Sequence, residues 1–181
     1  MRKIYIENIN NIKINNDLID IISYTDDKMK EVSLKSWSLL SYIIYKKYNM
    51  KLTKDMICYN DNKKPYFKDS KIYFNISHSK DLIAIIIDNK ECGIDIEYID
   101  YNKQLDKLAL KVLSEKEIIK YNNKKDKHKY FFKIWTKKET YYKYLGTGIN
   151  YKELSSDIKY NRIKSYIVKN AKDKYFVSFT K

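Results

Sequence analysis

The sequence predicts an α+β protein, and three observations support that class. Apolar residues alternate in some segments and recur every three or four residues in others, the periods of strands and helices. The segments run in the order one strand, one helix, three strands, three helices, two strands, a grouping unlike the regular alternation of a parallel α/β sheet. No internal repeat, low-complexity stretch or linker interrupts the chain, so its 181 residues suit one large domain or two small fused ones.

Residues 2–7 read as a short strand. A helix is predicted over 27–47, where Trp37, Leu40, Ile44 and Tyr48 form an apolar stripe. Residues 61–65 read as a loop, because Pro65 pushes Lys64 away from helical backbone. Strands follow over 71–76 and 82–88, joined by a turn at 77–81. After a turn at 88–90 comes a third strand over 93–97, and the short connections predict an antiparallel meander of all three. Helices are expected at 103–112, 114–121 and 129–145, the last stopped by Gly146. The tail reads as a hairpin, 162–168 with 174–180.

Lys and Arg outnumber Asp and Glu by 37 to 23, a net charge of +14. Only Arg2 and Arg162 are arginines, and the abundance of Lys, Asn, Ile and Tyr has the look of AT-rich coding, so part of this charge is background. The remainder favours an acidic partner. No apolar run is long enough to predict a membrane span, and the first residues lack the pattern of a secretory signal. Cys58 and Cys92 show no metal or redox spacing, and a reduced, cytoplasmic protein is expected. A nucleic-acid-binding module built on lysines and tyrosines is the main alternative, but the sequence carries no RRM, KH or helix-turn-helix signature. The three glycines and one proline are concentrated near the residues singled out next.

Asp95 and Glu97, two apart on a predicted strand, point to the same side while Ile94 and Ile96 point to the other. Their spacing suits either a half-exposed strand face paired with lysines or a hard divalent cation with oxygen ligands. Trp135, Glu139 and Lys143 stack at four-residue steps on one helix face. That stripe reads either as a surface ion pair or as a partly buried carboxylate and ammonium in need of a metal or phosphate. His78, between Ser77 and Ser79, reads either as a structural histidine or as part of an anion-contacting segment. Glu117 completes an S-x-x-E capping box with Ser114.

Together these segments resemble the 4′-phosphopantetheinyl transferase superfamily. The resemblance rests on Lys64-Pro65, then Asn75-Ile76-Ser77-His78-Ser79, then Gly93-Ile94-Asp95-Ile96-Glu97, then Trp135-Thr136-Lys137-Lys138-Glu139 with Lys143, and covers roughly residues 28–150. The Asn75–Ser79 segment points to the longer, surfactin-synthetase-activator type. The resemblance implies a pseudo-dimer of two similar α+β halves, about 1–88 and 89–181, with coenzyme A between them. It implies transfer of the 4′-phosphopantetheine arm of coenzyme A to a serine of an acidic apo-carrier protein, acyl or peptidyl, by a monomer acting without nucleic acid or membrane. Asp95, Glu97 and Glu139 match the family's Mg²⁺ ligands, and Lys143 its lysine near the diphosphate. Lys64, Pro65, Ser77 and His78 match positions on the nucleotide side of coenzyme A. Glu117 matches an acidic residue proposed as general base in part of the family. The arginine often found beside the Ser33 position is missing, leaving Lys28, Lys30 and Lys35 as substitutes for holding the 3′-phosphate.

Overall fold

The computed structural model describes residues 2–22, 26–150 and 153–181. Strands β1 (Lys3–Asn8), β4 (Tyr73–Ser79) and β5 (Leu82–Asp88) form an antiparallel sheet in the order β1-β5-β4. Strands β6 (Ile94–Tyr98), β7 (Ile163–Asn170) and β8 (Asp173–Thr180) form a second, in the order β6-β8-β7. Each sheet carries one long helix on one face. A short hairpin of β2 (Ile57–Tyr59) and β3 (Pro65–Phe67) stands beside the first sheet.

Helix α1 (Asp27–Tyr48) starts where Asp26 accepts from the Met29 N–H and ends at Asn49 in the left-handed region. Its stripe of Leu34, Trp37, Leu40, Ile43 and Ile44 buries against Ile83, Ile85, Ile87 and Phe74. Helix α4 (Lys127–Leu145) is capped by Asp126 and stopped by Gly146 at φ +70°. It covers the second sheet, where Thr136 bonds the Ser178 hydroxyl at 2.8 Å and Thr140 donates to the Ser178 carbonyl at 3.0 Å. The short helices α2 (Asp106–Val112) and α3 (Glu115–Asn122) precede it in the chain. The opposite faces of the two sheets share a third apolar cluster, including Ala84, Ile86, Ile94, Ile96 and Val177. Alternation explains the division: Ile83, Ile85 and Ile87 of β5 face α1, while Leu82, Ala84 and Ile86 face the shared cluster.

Two expectations need correction. The three middle strands do not form a meander, because β6 leaves β5 and pairs instead with β8 (Asp95 opposite Ser178). Its free edge meets β4 through side chains. Asn75 Oδ1 accepts from the Ile94 N–H, Ser77 Oγ from Ile96 and Ser79 Oγ from Tyr98, at 3.0, 3.3 and 3.0 Å. Every second residue of β4 thus satisfies the backbone edge of β6, which would otherwise be buried unpaired. The turn expected at 77–81 is also shorter than predicted. Strand β4 runs on through Ser79, and only Lys80 and Asp81 turn the chain, with Lys80 at φ +50°. The remaining elements fall within a few residues of expectation. The β2–β3 hairpin escaped prediction because three-residue strands carry no readable period, although Pro65 sits at a strand start, where its missing N–H is tolerated.

Candidate functional site

The seam between β4 and β6 positions the acidic residues. Asp95 and Glu97 project from β6 toward α4, away from Ile94 and Ile96 in the shared cluster. Gly93 lets the helix approach. A Cβ there would lie 2.6 Å from the Thr140 carbonyl oxygen, 2.8 Å from the Tyr144 nitrogen and 3.0 Å from its Cα. With no side chain at 93, the last turns of α4 rest on the start of β6, which brings Glu139 and Lys143 over Asp95.

The contacts are specific. Lys143 Nζ donates to Asp95 Oδ1 at 2.7 Å and to Ser77 Oγ at 2.8 Å, and Ser77 Oγ donates to the same Asp95 oxygen at 2.8 Å. Asp95 is only 3 % exposed. Its Oδ2 is buried with no hydrogen-bond partner among the described residues. Glu97 is held at both oxygens, by Trp135 Nε1 and by Ser79 Oγ, each at 3.1 Å. Burial, then the Asp95 charge, pushes Glu97 up to about 7, and the same two causes push Glu139 up to about 7. Burial also raises Asp95, against the pull of Lys143. For Lys143, burial acts downward, but Asp95, Glu139 and Glu97 outweigh it and hold the ammonium above its usual range.

These residues line one cavity of about 290 Å³. Seven of the nine residues that the resemblance matched to site positions meet there: Pro65, Ser77, His78, Asp95, Glu97, Glu139 and Lys143. Helix α1 adds Met29, Ser33, Ser36 and Trp37. His78 is open to solvent, yet packing around its ring, followed by the Lys143 charge, lowers its pKa and favours the neutral imidazole. Lys64 lies in a neighbouring cavity of about 530 Å³ that shares Pro65, and its ammonium is engaged by Glu91 Oε2 at 3.0 Å and the Tyr144 carbonyl at 3.1 Å. Of the proposed substitutes on α1, Lys35 pairs with Glu31 at 2.9 Å, and none of Lys28, Lys30 and Lys35 lines the acidic cavity.

Glu117 stands apart. Its Oε2 accepts from the Ser114 N–H at 2.9 Å and pairs with the fully buried Lys138 at 3.0 Å, and its Oε1 accepts from Tyr160 at 3.0 Å. The capping box is fully formed, and Lys138 also donates to the carbonyls of Leu154 and Ser156. This network ties α3 and the segment around 154–156 to α4, outside the acidic cavity.

Among the described residues no three histidine, cysteine, aspartate or glutamate side chains are gathered closely enough to ligate one ion as they stand. The donor set nevertheless fits a hard cation. Three carboxylates face one ammonium, one buried oxygen of Asp95 has no partner among the described residues, and both glutamates are driven toward protonation by burial and then by the Asp95 charge.

Sequence reasoning missed Ser79 as the partner of Glu97 and Asn75 as part of the seam. Their signal was present: polar residues at 75, 77 and 79 occupy alternate positions of an otherwise apolar strand. The resemblance ties the Ser33 segment of α1 to the ligand, but Met29, Ser36 and Trp37 were missed, Trp37 because it reads equally well as core.

An α+β protein with two helix-backed sheets and a buried acidic seam is suited to holding a phosphorylated ligand through a cation. Residues 91–180 match the family model described as the 4′-phosphopantetheinyl transferase superfamily. It is similar to the 4′-phosphopantetheinyl transferase HetI of a Nostoc species, 36 % identical over 86 residues that cover 46 % of this chain and 36 % of that protein. It is also similar to the 4′-phosphopantetheinyl transferase gsp of Aneurinibacillus migulanus, 36 % identical over 120 residues, or 62 % of this chain and 49 % of the relative. A putative 4′-phosphopantetheinyl transferase of Haemophilus influenzae is 36 % identical over 48 % of this chain and 38 % of its own length. The chain thus spans between about a third and a half of these curated relatives.

Proposed function

We propose that this protein transfers the 4′-phosphopantetheine arm of coenzyme A to a serine of an apo-carrier protein and releases 3′,5′-ADP, as a monomer of the surfactin-synthetase-activator type working in the cytoplasm. The observation that carries the reading is the convergence of Pro65, Ser77, His78, Asp95, Glu97, Glu139 and Lys143 on one cavity at the seam between the two sheets. The pseudo-dimer then divides at about 88/89, with the first half supplying Ser77 and His78 and the second the carboxylates and Lys143.

In this reading Asp95, Glu97 and Glu139 hold Mg²⁺. The bound ion supplies charge neutralisation for the diphosphate of coenzyme A and makes its phosphorus more electrophilic. Ser79 and Trp135 fix the rotamer of Glu97, as outer hydrogen bonds orient metal ligands elsewhere. Lys143, kept charged by its acidic neighbours, faces the diphosphate and stabilises negative charge gathering on the departing oxygen. Ser77 and His78 contact the nucleotide portion from the α1 side, and Lys64 and Pro65 mark the wall toward the neighbouring cavity. The carrier serine oxygen attacks the phosphorus bearing the pantetheine arm. The bond from that phosphorus to the bridging oxygen breaks, 3′,5′-ADP departs with the electron pair, and the serine proton passes to solvent at the open His78 side. Glu117 contributes as a positioning residue, holding Lys138 and with it the α4 segment next to Glu139. The net charge of +14 suits acidic carrier helices and makes association salt-sensitive.

The test is incubation with coenzyme A, Mg²⁺ and several apo-carrier proteins, read by intact mass. A gain of one phosphopantetheine on a carrier serine is expected. Unmodified carriers throughout, with folded protein, would remove the proposal.

A further inference from the structure

We propose that the outer edge of β1, with the groove between that strand and α1, docks an extended acidic peptide segment that joins the first sheet as a fourth strand. Strand β1 is the outermost of the order β1-β5-β4, and among the described residues no strand pairs with its other side. Such an edge leaves alternate N–H and C=O groups free to template another chain. Helix α1 crosses the sheet without closing over this edge, leaving a groove of about 600 Å³ lined by Lys3, Tyr5, Leu39, Ile43, Lys46 and Lys47, with Glu7 at one end.

The side chains set the chemistry of the occupant. Lys47 Nζ is buried and has no hydrogen-bond partner among the described residues; it lies over the ring of Tyr48, 5.0 Å from the centroid. A shielded ammonium without an acceptor is unfavourable, and a carboxylate entering the groove supplies one. Lys46 lies 5.7 Å from the centroid of the exposed Tyr42 ring, and Lys3 begins the strand, so the approach is positive. The one acid lining the groove, Glu7, is already engaged, since its Oε1 accepts from the Asn8 N–H at 3.0 Å and from Asn11 Nδ2 at 2.9 Å. A small anion would satisfy Lys47 and leave the strand edge unpaired. An extended chain satisfies both, with apolar side chains on Leu39 and Ile43. The site is independent of the transferase reading, because β4, at the opposite edge of the same sheet, is the strand that borders the acidic cavity.

The experiment is amide hydrogen exchange on the full chain with a blocked ten-residue peptide alternating glutamate and valine. A lysine–valine peptide of equal length and inorganic phosphate serve as comparisons. Exchange across residues 3–8 is expected to slow with the glutamate peptide and not with the lysine peptide. Lys47→Met, which keeps the apolar stem, is expected to weaken peptide binding by about tenfold, the scale of one charge-assisted hydrogen bond. Lys46→Glu is expected to weaken it as well, so the result does not hang on one variant. Unchanged exchange at 3–8, equal protection by the lysine peptide, undiminished affinity in folded Lys47→Met, or a phosphate effect matching that of the peptide would each overturn the proposal.

Discussion

Gly93→Ala probes how α4 is seated over the acidic strand. The added Cβ would meet three backbone atoms of α4, at 2.6, 2.8 and 3.0 Å. None belongs to a flexible side chain, so relief requires the helix to withdraw. Bringing the 2.6 Å contact to ordinary van der Waals range means a displacement of roughly 0.8 Å between α4 and β6, in a region packed at crystal-like density. Overpacking of this kind costs about 1–3 kcal/mol. For a chain of this size that corresponds to a fall of about 3–10 °C in Tm. Thermal unfolding followed by circular dichroism reads the stability. Because the same displacement carries Glu139 and Lys143 away from Asp95, transfer activity well below Tm is expected to fall by more than tenfold, the usual consequence of a misplacement near 1 Å. A variant with Tm within 1 °C of the parent and full activity would refute the packing argument and the site built on it.

Other expected outcomes follow from the charges. The Glu97 and Glu139 carboxyls, raised from 4.5 to about 7 in the folded protein, keep protons there that the unfolded chain has already lost. Metal-free stability should therefore decline as pH rises from about 4.5 through about 7, and Mg²⁺ should raise Tm more at pH 8 than at pH 5; a Mg²⁺ effect of equal size at both would count against the carboxylate site. Asp95→Asn removes the charge that Lys143 faces at 2.7 Å, and Mn²⁺ affinity measured by electron paramagnetic resonance should drop at least tenfold, as should that of Glu139→Gln. Unaltered Mn²⁺ binding in both would dismiss these ligands. Glu117→Gln disturbs the partner of the buried Lys138, at a cost of about 1–3 kcal/mol; Tm should fall while kcat below Tm stays within about tenfold, the lower limit of a general base's contribution being near a hundredfold. A hundredfold loss of kcat at unchanged Tm would return Glu117 to the role of base.

The sequence showed the fold wherever a period could establish itself. The seven residues of β5, alternating between two apolar faces, and the α1 stripe around Trp37 are both long enough to read. The pairing of β6 was not legible, because its partner β8 lies some 80 residues away and nothing local distinguishes that choice from a meander with β5. The site was legible in its parts: Asp95 and Glu97 share a strand face, and Glu139 and Lys143 share a helix face. Their meeting depends on Gly93, whose need for contact with the backbone of α4 is a tertiary fact. Glu117 illustrates the opposite case. Its local reading as a helix cap is what the structure displays, and the buried Lys138 that completes its surroundings gave no local sign of burial.

The most direct measurement is the stoichiometry of the reaction itself, with coenzyme A, Mg²⁺ and an apo-carrier protein quantified for 3′,5′-ADP release and carrier modification in the same samples. One 3′,5′-ADP is expected for each phosphopantetheine attached to a carrier serine, both lost together in Asp95→Asn. Coenzyme A left intact by the folded protein, or modification persisting at full rate in Asp95→Asn, would contradict the proposed transfer.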